Sequence, residues 1–139
     1  MDIRTIVSTE YEERDASTPM SKVVGTFEDR EVTGIVVTRD GEYEGVLTRR
    51  QLTASRYQPK QKVGSLVWHV PRVEPTADVR DVARLMIDSE SRLLPVFEAD
   101  RLHGVVTADA LLEAVLPPDP ARARARLGLV RRKRQSGAS

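Results

Sequence analysis

The sequence GVLT at residues 45–48 recurs as GVVT at residues 104–107, so that two similar stretches are separated by 104 − 45 = 59 residues. The same offset, without a gap, places residues 35–37 (IVV) over residues 94–96 (LPV). A repeat of this length is one supersecondary unit that cannot bury its apolar face alone, so two copies pack together. We therefore expect one core built from two halves, with matched clefts between them.

Size and composition favour a globular protein without a membrane span. The chain has 139 residues, of which 40% are hydrophobic, and no apolar run approaches the roughly 20 residues that cross a bilayer. Residues 1–4 lack the basic and then apolar order of a secretion signal, which predicts a cytoplasmic protein. The absence of cysteine excludes disulfides, thiolate nucleophiles and cysteine-based metal centres.

The charge distribution divides the chain into a mildly acidic body and a basic tail. Residues 1–120 hold 15 Lys and Arg against 21 Asp and Glu, whereas residues 121–139 hold 7 Lys and Arg and no acid. We predict a first repeat at 1–59, a second repeat at 60–116, and a disordered or weakly helical basic tail at 117–139. A solvated terminus explains such a tail more often than nucleic-acid binding, which the seven cations would support weakly and without sequence specificity.

The first half predicts the order strand, helix, strand, strand, helix. Ser17-Thr18-Pro19 predicts a helix start, and the apolar spacing from Met20 to Phe27 predicts about three helical turns. Asp40-Gly41 is typical of a tight hairpin turn between two β-rich stretches, and a second helix is expected to open at Thr48. The segment IRTIV at residues 3–7 also lies over VGSLV at residues 63–67, so the segment that leads into each half is repeated too.

The second half predicts the same elements. Val73 lies in a short strand, Thr76 is the expected cap of a helix with apolar residues from Val79 to Ile87, and a hairpin follows. Thr107 is expected to open the last helix, which the prolines after Val115 stop.

The repeated Gly-apolar-apolar-Thr motif ends a strand and leads into a helix. It places a hydroxyl and free backbone N–H groups at a helix N-terminus, where an anion such as phosphate is stabilised. A single occurrence is better explained by Thr48 or Thr107 capping its own helix. Two occurrences in register make a binding site the more specific interpretation.

With Leu94-Pro95-Val96 before the second hairpin, residues 63–115 resemble a CBS domain, and residues 3–55 resemble a more divergent one. The resemblance implies an α+β fold of two β-α-β-β-α repeats packed about a pseudo-twofold axis, the tandem called a Bateman module. It also implies a regulatory ligand between the halves, namely AMP, ADP, ATP or S-adenosylmethionine. A homodimer and a regulated enzyme or transporter are implied as partners.

The resemblance implies a binding set from both motifs, and the set departs from the family pattern at one position. The family has Asp three residues after the Thr or Ser, where it binds the ribose hydroxyls; here those positions hold Gln51 and Ala110. Asp109 lies one residue early, which turns it about 100° away on a helix. Arg92 resembles the arginine that faces phosphate in some members. The expected ligand contacts are Gly45, Leu47, Thr48, Arg49, Arg50, Gln51, Arg92, Val106, Thr107 and Asp109.

Other functions have weaker support. His69 and His103 have no partner at a metal-ligand spacing, and no nucleophile elbow or P-loop is present, so neither an enzyme nor a metal site is expected. Trp68 either stacks on a purine or, more commonly for such a residue, fills the core. The two missing carboxylates leave a ligand-free dimerisation module as the alternative, with the apolar faces of residues 20–27 and 79–87 paired with a second copy.

Overall fold

The computed structural model describes residues 1–116 and 121. The first half contains strand β1 (Glu13–Asp15), helix α1 (Met20–Val23) continuing as a 3₁₀ helix (Val24–Glu28), strands β2 (Gly34–Arg39) and β3 (Glu42–Thr48), and helix α2 (Arg49–Ala54). The second half contains helix α3 (Val79–Ser89), strands β4 (Leu93–Glu98) and β5 (Arg101–Thr107), and helix α4 (Ala108–Val115). The basic tail predicted at 117–139 falls outside the described residues, apart from Ala121.

The two halves have the same topology. In the first, β1 runs parallel to β2, which pairs with β3 in an antiparallel hairpin. In the second, β4 and β5 form the equivalent hairpin, and Val73 makes a single parallel bridge to Val96 in the place of β1. The predicted β-α-β-β-α order and α+β class are confirmed, although the first strand of the second half is reduced to that one bridge.

Each half is completed by the segment that leads into the other half. We call residues 1–12 the first arm and residues 61–72 the second arm. Ser8 in the first arm exchanges two backbone hydrogen bonds with Val105 in β5, at 2.8 and 2.9 Å. Trp68 in the second arm exchanges two with Val46 in β3, at 2.9 and 3.1 Å. Because the arms are exchanged in the same way on both sides, the pseudo-twofold relation extends through the whole body.

The buried core follows this exchange. Ile3 of the first arm is fully buried in a cluster dominated by the second half, with Val82, Leu94 and Val106. Val63 of the second arm is fully buried in the first-half cluster. Burial of one such aliphatic side chain contributes about 1.5–3 kcal/mol, so each arm fastens the two halves together.

The motif glycines lie where the arms cross the strands. A methyl group added at Gly45 would lie 2.8 Å from the Trp68 carbonyl oxygen, and one added at Gly104 would lie 2.9 Å from Val7 Cγ1 and closer still to the Ser8 carbonyl oxygen. The arm backbone can approach β3 and β5 only because these positions have no Cβ. The glycines of the repeated motif are therefore required by the packing of the arms.

Two predicted helix starts differ in detail. The first helix begins at Met20 after Pro19 without a side-chain cap, and Ser17 instead donates a hydrogen bond to Asp15. It has four α-helical residues and five 3₁₀ residues instead of three regular turns, because Gly25 and the β-branched residues around it favour the α-helix poorly.

The predicted cap at Thr76 is also wrong. Asp78 occupies the cap position of α3 and accepts a hydrogen bond of 2.9 Å from the Arg80 N–H. The Val79 N–H donates to the Met1 carbonyl oxygen at 3.0 Å, so pairing with the first arm fixes where α3 begins.

Candidate functional site

A cleft of about 790 Å³ lies between the halves, where β3 and β5 lead into α2 and α4. Both halves supply equivalent parts of its wall: the loop before the hairpin and the first residues of the following helix. Four arginines and two carboxylates line it, together with apolar residues of α3 and α4. The lining residues are Arg30, Val32, Thr33, Thr48, Arg49, Arg50, Ala83, Met86, Ile87, Glu90, Ser91, Arg92, Ala108, Asp109, Leu111 and Leu112.

The two motif threonines differ in the use of their hydroxyls. The Thr107 hydroxyl accepts a hydrogen bond from the Ala110 N–H at 3.2 Å, as expected of a helix cap. Thr48 is 4% exposed and lines the cleft, yet its hydroxyl has no hydrogen bond of ordinary geometry, although it lies near the Gln51 N–H in a capping-box arrangement. The Thr48 hydroxyl thus has only the capping-box contact at the start of α2.

Two exposed ion pairs lie at the cleft. Arg50 Nη2 lies 3.4 Å from Glu90 Oε1, which joins the first half to the second. Arg92 Nη2 lies 2.9 Å from Asp109 Oδ1, within the second half. Exposed pairs of this kind contribute about 0–1 kcal/mol each, so an anionic ligand can displace their carboxylates at little cost.

The Arg49 side chain stabilises the loop before β2. Its guanidinium donates hydrogen bonds to the carbonyl oxygens of Phe27 at 2.8 Å, Asp29 at 2.9 Å and Val32 at 3.1 Å, and lies over the Phe27 ring. These contacts hold the loop before β2, which forms one wall of the cleft. Arg49 therefore stabilises a wall of the cleft, and most of its N–H groups are already hydrogen-bonded within the protein.

Gln51 does not line the cleft. Its side chain is fully buried; Oε1 accepts a hydrogen bond from the Thr48 N–H, and Nε2 donates to the Leu66 carbonyl oxygen at 3.1 Å. Both ends of the amide therefore bind the protein, one at the start of α2 and the other in the second arm. This placement replaces the ribose-binding role expected for Gln51 with a structural one.

The remaining expected site residues divide between core and cleft. Leu47 and Val106 are core residues, and the motif glycine Gly45 lies under the second arm. Trp68 is half-buried and packs against the core cluster, which supports the core interpretation. Of the ten expected contacts, the cleft brings together Thr48, Arg49, Arg50, Arg92 and Asp109.

Sequence reasoning missed Arg30 and Glu90. Both lie just before the first strand of a hairpin, and the 59-residue offset pairs Glu90 with Glu31 in the same loop of the other half. Glu90 adopts a left-handed conformation (φ 54°) that ends α3 and brings its side chain beside Arg50. The alignment of the two halves could have predicted them, because Arg92, which was expected at the site, belongs to the same loop as Glu90.

The apolar helix faces expected to meet a second copy are buried inside the chain. Met20, Val23 and Phe27 pack in the first-half core, and Val82 and Met86 in the second. The prediction is wrong for these five side chains, because the same chain buries them, whereas Ile87 at the end of the second face stays exposed. Two large apolar side chains that line the cleft stay exposed, Ile87 (75%) and Leu112 (53%), as do Val115 (55%) and Leu116 (38%) at the end of α4.

The part of the chain that the structure describes holds neither a metal-binding cluster nor a membrane-spanning helix. Within residues 1–116 and 121, no group of three or more His, Asp or Glu side chains is placed to hold a metal ion. In the same residues no helix has both the length and the apolar character needed to span a membrane.

Paired β-α-β-β-α units that share a cleft define a tandem repeat module. The chain belongs to the CBS domain family, because the CBS domain model matches residues 15–56 and 63–117. Proteins of this family are generally regulatory modules and not catalysts. The structure is accordingly a tandem CBS pair.

The chain is similar to a magnesium transporter and to solved structures of CBS proteins. It is 35% identical over 82 residues to the magnesium transporter MgtE of Thermus thermophilus, a match that covers 58% of this chain and 18% of the transporter. The crystal structure of the cytosolic domain of the Mg²⁺ channel MgtE in complex with ATP is similar, with a TM-score of 0.63, 28% identity, and coverage of 79% of this chain and 47% of that one. CBSX2 in complex with AMP has a TM-score of 0.69 at 24% identity, over 81% and 94% of the two chains.

Proposed function

We propose that this module is a sensor that binds an adenine nucleotide in the cleft between its two CBS repeats. The observation that carries the proposal is the meeting of Thr48, Arg50 and Arg92 at one cleft built by both halves. The Thr48 hydroxyl, which makes only the capping-box contact with the Gln51 N–H, can donate its proton to a phosphate oxygen, and the arginines can exchange their carboxylates for phosphates. The ATP and AMP complexes of similar modules support the same ligand class.

The charge of the cleft favours nucleotides over S-adenosylmethionine. Four arginines against two carboxylates leave an excess of two positive charges in the lining. Phosphates are attracted to this excess, whereas the sulfonium cation of S-adenosylmethionine is repelled. Among AMP, ADP and ATP, the more highly charged ligands should gain most, and the gain should fall with salt.

Regulation would follow from the position of the cleft. A ligand held by Arg50 from one half and Arg92 from the other binds best at one relative orientation of the halves, and so raises the population of that orientation. The receiving partner is proposed to be an enzyme or a transporter. The MgtE relative, a magnesium transporter, supports the latter.

Calorimetric titration with ATP, ADP, AMP and S-adenosylmethionine tests the proposal. We expect saturable binding of at least one nucleotide, weaker binding of S-adenosylmethionine, and loss of affinity when Arg50 and Arg92 are both replaced by Met. Absence of heat and of thermal stabilisation with every nucleotide at millimolar concentration would reject nucleotide sensing by this chain.

The threonine pair gives a sharper prediction. Thr48→Val should leave the free energy of unfolding within about 0.5 kcal/mol of wild type, because the hydroxyl makes only the capping-box contact with the Gln51 N–H, which is not a hydrogen bond of ordinary geometry, while nucleotide affinity falls about tenfold. Thr107→Val should instead cost about 1 kcal/mol, because it removes the bond to the Ala110 N–H. Denaturant unfolding and calorimetry on both variants check this contrast. It is contradicted if Thr107→Val lowers the nucleotide affinity as much as Thr48→Val does.

A second candidate function is a dimerisation module that has lost its ligand. The hydrogen bonds of Gln51 within the protein favour this function, because they leave its amide unable to bind a ribose. Neither half has a carboxylate at the position where the family binds the ribose hydroxyls. The exposed apolar residues Ile87 and Leu112 beside the cleft would then meet a second copy.

We expect Ile87→Asp to convert a dimer into a monomer without loss of fold, because this side chain is 75% exposed in the single chain and burying a charge in an interface is costly. Light scattering coupled to gel filtration measures the change, with Lys60→Asp, in the exposed loop before the second arm, as the control. A wild-type protein that is monomeric with and without ATP would rule out this interface.

A further inference from the structure

A second groove lies at the other end of the hairpins. Its volume is about 520 Å³, and its walls come from the tips of both hairpins and from the ends of both arms. Strands β3 and β5 each have seven residues and run from this groove to the cleft, a separation of about 20 Å at roughly 3.4 Å per residue. The groove is thus a separate feature that both halves build.

The groove contains a stacked guanidinium. The Arg72 Cζ atom lies 4.2 Å from the centre of the Phe97 ring and 6.0 Å from that of Tyr43, and the two rings pack edge to face at 5.2 Å. A guanidinium stacked on a ring keeps its N–H groups free at its edge, where they match the two oxygens of a carboxylate. Arg72 is exposed and, within residues 1–116 and 121, belongs to no ion pair.

Carboxylates line the same groove without pairing. Glu13, Glu42 and Asp100 contribute three negative charges against the positive charges of Arg72 and Arg101. No ion pair of 4.0 Å or less joins any of these five side chains in the described part of the chain. Groups of both signs therefore line one groove, exposed to solvent and without ion pairs of their own, a setting that suits a ligand carrying both signs.

Two further details support a built site. The Tyr43 hydroxyl is shielded from solvent and has no hydrogen-bond partner, and burial raises the Tyr43 pKa to about 12, so it stays protonated. The turn that presents Asp100 has both central residues in the left-handed region, Ala99 at φ 50° and Asp100 at φ 62°. Alanine adopts this conformation at a cost of about 1–2 kcal/mol, which the equivalent Asp40-Gly41 turn largely avoids.

We propose that this groove binds a small zwitterion, a free α-amino acid, whose carboxylate is held by Arg72 and whose ammonium group is held by the acidic side of the groove. A simple anion would meet three carboxylates, and a simple cation would compete with Arg72 for the aromatic face. A zwitterion satisfies both sides at once. Because Arg72 belongs to the second arm and Glu13 and Glu42 to the first half, the ligand would bridge the halves at a point remote from the cleft.

Titration of the full chain with the common l-α-amino acids, each at millimolar concentration, tests this site by calorimetry and thermal shift. At least one amino acid should bind, and its decarboxylated amine and its deaminated acid should each bind at least tenfold more weakly. Arg72→Met, which keeps apolar cover over Phe97, should lower the affinity about ten- to hundredfold, and Arg72→Lys should restore part of it. Arg56→Met, at an exposed position outside the groove, is the matched control.

Substitution of the carboxylates in the groove should change the affinities for the amino acid and for its deaminated acid in opposite directions. Glu42→Gln and Asp100→Asn should weaken amino-acid binding several-fold and strengthen binding of the deaminated acid, because each removes one negative charge from the groove. The Arg50→Met/Arg92→Met double variant should keep amino-acid binding, which separates this site from the cleft. The proposal is overturned if no amino acid binds the wild-type chain, if Arg72→Met binds as tightly as wild type, or if the deaminated acid binds as well as the amino acid.

Discussion

Gly104→Ala is expected to destabilise the protein by about 3 kcal/mol, and Gly45→Ala by about 2 kcal/mol, the range that overpacking of a filled interior costs. In each case the new methyl group meets the backbone of an exchanged arm, which cannot move aside as a flexible side chain does. If the two effects add, the double variant should lose about 5 kcal/mol, which approaches the total stability of a small domain. Chemical denaturation followed by circular dichroism measures all three variants.

Gly25→Ala is the matched control. Nothing lies within 4 Å of a methyl group added there, and the backbone of Gly25 is not in the left-handed region. This variant should be neutral or slightly more stable, because alanine reduces the entropy of the unfolded chain. If Gly45→Ala and Gly104→Ala behave like Gly25→Ala, the arms are not packed against the strands as described.

Gln51→Leu should cost about 2–4 kcal/mol, because it removes two buried hydrogen bonds and leaves their backbone partners without the side-chain amide. The loss should fall on the contact between α2 and the second arm, so hydrogen exchange should quicken at Thr48 and around Leu66 before it quickens in the second half. Gln58→Leu, at an exposed glutamine in the loop before the second arm, should change the stability by less than about 0.5 kcal/mol. A Gln51→Leu protein of wild-type stability would leave Gln51 free for the ribose role that the family pattern suggests.

The repeated motif predicted much of the fold, because the constant offset fixes which strands and helices correspond. Both hairpins and the helices that open after Thr48 and Thr107 follow directly from it. The exchange of the arms could not be predicted in this way. Similarity between Ile3 and Val63 shows that the arms are equivalent, but it does not show which half each one covers.

The candidate site was predictable in part. Thr48 and Arg50 follow the second strand of one hairpin, and Arg92 precedes the first strand of the other. These positions meet at the cleft because the first strand of a hairpin begins beside the point where its second strand ends. The role of Gln51 was predicted wrongly, because a position in a family pattern does not show which way a side chain points. The Gln51 amide points into the protein, where it satisfies two buried backbone groups. The hydrogen bonds of Arg49 to three carbonyl oxygens could not be predicted, because they depend on the conformation of a loop and not on residue types alone.

The central claim is that one ligand meets both halves at the shared cleft. The most direct test is a titration of the ¹⁵N-labelled chain with ATP, followed by assigned amide chemical shifts. We expect the amide signals of Thr48 and Arg50 in the first half and of Arg92 and Asp109 in the second to shift together, with one apparent affinity, while the signal of Gly41 at the distant hairpin tip stays unchanged. Shifts confined to one half, or no shifts at a saturating nucleotide concentration, would contradict it.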